Sequence, residues 1–259
     1  MFGKNSIKNT KNGTAKNVNA NNGAGLFGSL TQSRSARVAG LLYLLLIIFG
    51  VTAELLRQSI IVPGDASATA ANLMNNEGIW KLSIMVDIIA FTSFALLPFA
   101  FYRVFNKVNK NLAMLVIIFI LVSIPISVIA WTYQYGAIEL VSTPALVMDN
   151  IETYTAYVHA ATIFHGLWLF PLGILTYKSG YFPKFWGILQ MLACVGFVIE
   201  GSQYFLLPGN EAIAYPGMMI AVIAEFGFTG WLLVKGAKIP EVESNEKVSK
   251  EVRMNTSVA

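Results

Sequence analysis

Six apolar stretches dominate this 259-residue chain, each close to the ~20 residues that a helix needs to cross about 30 Å of hydrocarbon. No other feature restricts the fold as much. In lipid, every backbone N–H and C=O must be satisfied within its own segment, so apolar stretches of this length must be helices. Barrel strands would show alternation over about ten residues, and none does. The composition agrees: the chain is 55% hydrophobic and only 12% charged, roughly half the charged fraction of a soluble domain. The expected fold is an all-α integral membrane protein, a six-transmembrane-helix bundle.

The spans are expected at about 36–56, 79–102, 112–137, 154–177, 183–207 and 214–234, forming a membrane domain over 36–237. Residues 1–35 read as a disordered Asn/Lys-rich tail, with too little apolar surface to bury. Residues 238–259 read as a charged, solvated tail. Between the first two spans, Asp65 or Ser67 can cap a short alanine-rich helix that stops at Asn75-Asn76-Glu77-Gly78.

Charge sets the orientation. Of the 18 Lys and Arg residues, all but Arg57 and Lys81 fall on the side that carries both tails. The excess of basic residues on cytoplasmic loops places both termini in the cytoplasm of a cell-membrane protein. The same excess explains the net charge of +4 without a nucleic-acid partner. Trp80, Trp131 and Trp186, with Tyr133, Tyr135, Tyr154 and Tyr181, lie near span ends, where an interfacial aromatic belt is expected.

Cofactor chemistry finds little support. The single cysteine, Cys194, excludes an intrachain disulfide, a CxxC zinc site and a cysteine-ligated iron–sulfur cluster. The two histidines share one span, which excludes bis-histidine haem ligation between spans. There is no Gly-x-Ser-x-Gly, His-Glu-x-x-His or phosphate loop.

Several segments carry a resemblance. Arg37-Val38-Ala39-Gly40-Leu41-Leu42-Tyr43, Trp80-Lys81 followed by Asp87, and Gly166-Leu-Trp-Leu-Phe-Pro-Leu-Gly173 stand out. So do Tyr177-Lys178-Ser179-Gly180, Pro183, Gly187, and the last span from Glu225 to Trp231-Leu-Leu-Val-Lys-Gly236. Together they resemble the DUF4386 family of multi-pass, mainly prokaryotic membrane proteins, over about residues 36–237. The resemblance implies a fold and a membrane location but no reaction. Lys81 departs from it, since an arginine is usual there, and the N-terminal tail lies outside it.

Charged side chains within a span cost several kcal/mol unless paired or facing water, so each is a candidate for function. Asp87, His159, His165, Glu200 and Glu225 come from four spans to a similar depth, and Gln203 lies one turn from Glu200. They are expected to line one polar cavity that opens outward. Glu54 and Arg57 share a helix face at i, i+3, which suits a structural ion pair with Arg57 snorkelling outward. For Asp87 the structural alternative is a pair with Lys81 or a histidine. His159 and His165 are six residues apart, roughly 120° around a helix, so each is expected to meet a different carboxylate.

Three function classes remain open. The first is binding, or proton-linked movement, of a small polar solute through the cavity. Six spans make a small carrier, and Ala36 to Gly40 offers a small-residue contact for helix packing if it assembles as a homo-oligomer. The second is a non-enzymatic accessory or sensor protein whose polar cluster only holds the bundle together. The third is an intramembrane metal-dependent hydrolase, with Asp87, His159, His165 and Glu225 around one Zn²⁺. The sequence favours the first, in the lipid bilayer and without a cofactor.

Overall fold

The computed structural model describes residues 31–238, and every regular element among them is helical. In order these are α1 (Gln32–Gln58), α2 (Ala66–Asn75), α3 (Glu77–Phe105) and α4 (Lys110–Glu139). There follow α5 (Pro144–Leu167), α6 (Leu169–Ser179), α7 (Lys184–Leu206), a 3₁₀ turn at Glu211–Ile213, and α8 (Tyr215–Val234). Six spans are long and apolar enough to cross a membrane, with α5 and α6 together forming the fourth, Pro144–Ser179. The expected tails lie almost wholly outside the described residues.

Local chemistry accounts for the ends that hydropathy misplaces. α1 starts four residues before the expected span because the Thr31 side chain accepts the Arg34 N–H at 3.3 Å. The fourth span starts ten residues early: Pro144 at the first helical turn is pre-set for helix, so α5 continues past the apolar zone through Asp149, Asn150 and Glu152. Asp65 caps α2, its carboxylate accepting the Ala68 N–H at 2.9 Å. At the other end of the bundle, Gly180 takes a φ of 69° and stops α6, so that the chain can turn into α7.

The fourth span is broken at Trp168, between α5 and α6. Pro171 has no N–H to return to the Leu167 carbonyl, which kinks the helix there.

The spans pack as a closed ring in chain order: α1 on α3, α3 on α4, α4 on α5, α5 on α7, α7 on α8, and α8 back on α1. Contact in lipid depends on close packing, so small residues sit where backbones cross. A Cβ on Gly196 of α7 would lie 2.5 Å from the Gly217 carbonyl oxygen of α8, so only glycine fits there. Ala36 and Gly40 also pack inside the chain, since a Cβ on Gly40 would lie 2.8 Å from Leu232 Cβ. That small-residue stretch is therefore a contact between α1 and α8 and is not left free for a second copy.

A main core runs through the ring, and a smaller one covers the α2 end. The smaller core gathers Ile60, Ala70, Leu73, Trp80, Ala137, Val147 and Ile151. Trp80 is fully buried and donates to the Gln134 carbonyl at 2.7 Å. It is a packing residue, not a member of an interfacial belt. Its indole N–H has a backbone acceptor within the protein, which removes the cost of burying it.

Candidate functional site

The ring encloses a cavity of about 450 Å³ to which all six spans contribute. Its ends are set by residue spacing. Leu46 and Arg57 on α1, and Tyr154 and His165 on α5, are each eleven residues apart, roughly 16 Å at ~1.5 Å per residue.

Arg57 defines the α2 end of the cavity. It does not snorkel outward. The antiparallel register of α1 and α3, which brings Tyr43 of α1 against Phe101 of α3, brings Arg57 against Asp87 fourteen residues further along α1. Nη1 of Arg57 donates to Asp87 Oδ2 at 2.5 Å. Nη2 and Nε donate to Glu54 Oε2 at 2.8 and 3.1 Å. Glu54 Oε1 accepts from Gln58. The guanidinium also lies over the Tyr154 ring, 5.2 Å from its centroid. Asp87 thus pairs with neither Lys81 nor a histidine. Lys81 instead meets Glu77 one turn back on an exposed face of α3.

The opposite end is aromatic. Tyr43, Phe94, Phe101 and Trp168 are all fully buried and in ring contact with one another. Two ionisable groups stand on this floor. The Tyr43 hydroxyl donates to Glu225 Oε1 at 2.9 Å. The His165 ring stacks on Phe94 at 4.3 Å, and no carboxylate among the described residues pairs with it. Asp87, His165 and Glu225, from three different helices, line the cavity, and Glu54 and Arg57 join them.

His159, Glu200 and Gln203 do not line it. His159 and Glu200 form a separate clasp between α5 and α7. His159 Nδ1 lies 2.8 Å from Glu200 Oε1, with the ring turned away from linear hydrogen-bond geometry. The same ring stacks on Tyr204 at 4.2 Å. Gln203 donates to the Leu207 carbonyl at 2.8 Å, closing the end of α7. Gly201 makes the approach possible, because a Cβ there would lie 2.7 Å from the His159 carbonyl oxygen. The physical reason for the split is rotation. Six residues carry His165 to a different face of α5 from His159, so one faces α7 and the other faces the ring centre. That same split removes the four-ligand zinc site proposed for a hydrolase. Among the described residues, no group of three or more His, Cys, Asp or Glu could hold a metal ion.

Most of the cavity wall is apolar. Phe91, Trp131, Tyr154 and Phe197 supply aromatic surface, and Ser127 and Thr162 add hydroxyls. Tyr43, Trp131 and Tyr154 are the residues that sequence reasoning missed. Trp131 and Tyr154 sit near span ends and read as interfacial, and Tyr43 enters only as part of the resemblance. Fold and cavity together define a multi-pass helical membrane protein with an intramembrane chamber.

The profile of DUF4386, described as a domain of unknown function, matches residues 38–236. The chain belongs to that family. It is also similar to an uncharacterized protein of Archaeoglobus fulgidus, 32% identical over 145 residues, which covers 56% of this chain and 78% of the relative. No solved structure matches the chain.

Proposed function

We propose that this protein binds a small molecule inside the membrane, as a carrier or a receptor, in the chamber at the centre of its ring. One observation carries the reading: all six spans converge on a cavity of about 450 Å³ that holds Arg57, Asp87, His165 and Glu225. The volume lies in the range of small-molecule pockets, and the pattern of apolar walls with a few polar groups is that of a ligand site. A bundle that needed only mechanical stability would fill such a void, because empty volume in a core is destabilising. The distribution of basic residues supports a cell-membrane protein with both termini in the cytoplasm, so that the α2 end faces outward. His165 and Glu225 are then the groups available for proton-linked movement, each within the cavity and neither in an ion pair among the described residues.

The sensor or accessory reading draws on a different observation, since the Glu54–Arg57–Asp87 network is satisfied without any ligand. Native mass spectrometry of the purified protein separates the two. A retained small molecule that Trp131→Ala and Ala161→Trp both remove supports binding. Wild-type protein that carries nothing, from several expression hosts and lipids, would leave the network as a structural strut.

A further inference from the structure

The route into the cavity and the charges along it say what kind of molecule fits. The α2 end is closed. Ile60 and Ile151, one turn beyond Arg57 and Tyr154, belong to the smaller core and are buried with Leu73, Trp80 and Val147. The opposite end is closed by the floor of Tyr43, Phe94, Phe101 and Trp168. What remains is the wall.

The seam between α1 and α8 is tight towards the termini and open towards α2. Near the termini, Gly40 packs on Leu232 and Leu233, and Tyr43 bonds Glu225. Ten residues further along α1, a Cβ on Gly50 would meet nothing within 4 Å. Val51, Val222 and Phe226 line the cavity yet are 49%, 47% and 52% exposed. A side chain that faces both the chamber and the outside stands at a mouth. This mouth lies along two membrane-spanning helices, and Gly50, Val51, Val222 and Phe226 at it are apolar, so it opens into lipid.

The electrostatics select the head group. The guanidinium of Arg57 is already taken by two carboxylates, so an anion entering the cavity would have to displace Glu54 or Asp87. Three carboxyl groups line the chamber against one guanidinium. Phe91 and Trp131 add aromatic surface of the kind that attracts alkylated ammonium groups. Glu54, 52% exposed and one turn from Gly50, stands beside the mouth.

Building on the binding function above, we propose that the ligand is a lipophilic cation, an apolar body carrying an amine or quaternary ammonium, and that it enters from the lipid between α1 and α8. The apolar walls hold the body while the carboxyl and aromatic groups hold the head.

The test uses the full chain in nanodiscs and an alkyltrimethylammonium with a brominated twelve-carbon chain. Quenching of Trp131 is read as the difference between the wild type and Trp131→Phe. The matching brominated alkyl sulfate is read in the same way, and tetramethylammonium, which carries no bromine, is read by its competition with the brominated cation. The expected result is at least tenfold tighter binding of the cationic amphiphile than of either comparison. Gly50→Trp and Val222→Trp should each slow its association or weaken its binding at least tenfold, and Leu192→Phe, on an exposed face of α7 away from the cavity, should leave both unchanged. Thermal melts at the wild-type temperature show that the bulky variants fold. Equal or tighter binding of the sulfate, or unchanged association in both tryptophan variants, overturns the proposal while leaving a binding chamber in place. If no probe binds and no molecule is retained on purification, the binding function itself fails.

Discussion

Arg57→Met is the most informative single substitution, because it removes a charge shared by two carboxylates in unlike surroundings. Methionine keeps most of the apolar stem and loses three hydrogen bonds, one to Asp87 at 2.5 Å and two to Glu54 at 2.8 and 3.1 Å. The Asp87 side chain is 6% exposed and that of Glu54 52%. An exposed pair contributes about 0–1 kcal/mol. A buried carboxylate that loses its partner costs about 3–5 kcal/mol. The expected loss is therefore about 3–5 kcal/mol, almost all of it from Asp87. For a chain of this size that corresponds to a fall in Tm of roughly 6–20 °C. The assay is thermal unfolding in nanodiscs, followed by tryptophan fluorescence, for Arg57→Met, Glu54→Gln, and the double variant Arg57→Met/Asp87→Leu. Glu54→Gln should cost less than about 1 kcal/mol. The double variant, which removes both buried charges, should recover to within about 1 kcal/mol of wild type, since an apolar replacement of a buried pair is often neutral. Single and double variants of equal cost, or an Arg57→Met loss no larger than that of Glu54→Gln, would refute the buried bridge between α1 and α3.

Three other outcomes are expected. Gly196→Ala should destabilise the protein by about 2–3 kcal/mol or more, because the new methyl meets the Gly217 backbone, which cannot rotate away; a melt like that of the wild type would contradict the α7–α8 crossing. Tyr43→Phe strips Glu225 of its donor and should cost about 1–3 kcal/mol, whereas Glu225→Gln keeps an acceptor for the hydroxyl and should cost less than about 1 kcal/mol, both read by the same melts. Elemental analysis of the purified protein at neutral pH should find no stoichiometric zinc or iron, and one metal per chain would revive the hydrolase class that the separation of His159 from His165 argues against.

The spans were legible in the sequence because bilayer thickness sets their length, and hydropathy reads that constraint directly. Their ends were not, since caps such as Thr31 and Pro144 act outside the apolar zone. The convergence of Asp87, His165 and Glu225 could be argued from depth alone. Which way each side chain turns could not. Arg57 sits at a span end where snorkelling outward and bridging inward are equally available, and the choice falls to Asp87, thirty residues away on an antiparallel neighbour. Trp80 and Tyr154 were misread because a span-end aromatic looks interfacial until its neighbours are known: Trp80 is buried with residues of α2, and Tyr154 turns into the cavity beneath Arg57. His159 and Glu200 matched the expected depth but faced a different seam, a matter of helix rotation that a single sequence does not record.

The central claim is that one chamber gathers polar groups from separate spans and holds a ligand there. An experimental structure of the protein purified in native lipid tests it most directly. The predicted result has Asp87, His165 and Glu225 facing one cavity, with density for a bound molecule against Trp131. A collapsed ring, or those three side chains pointing into unrelated surroundings, would contradict it.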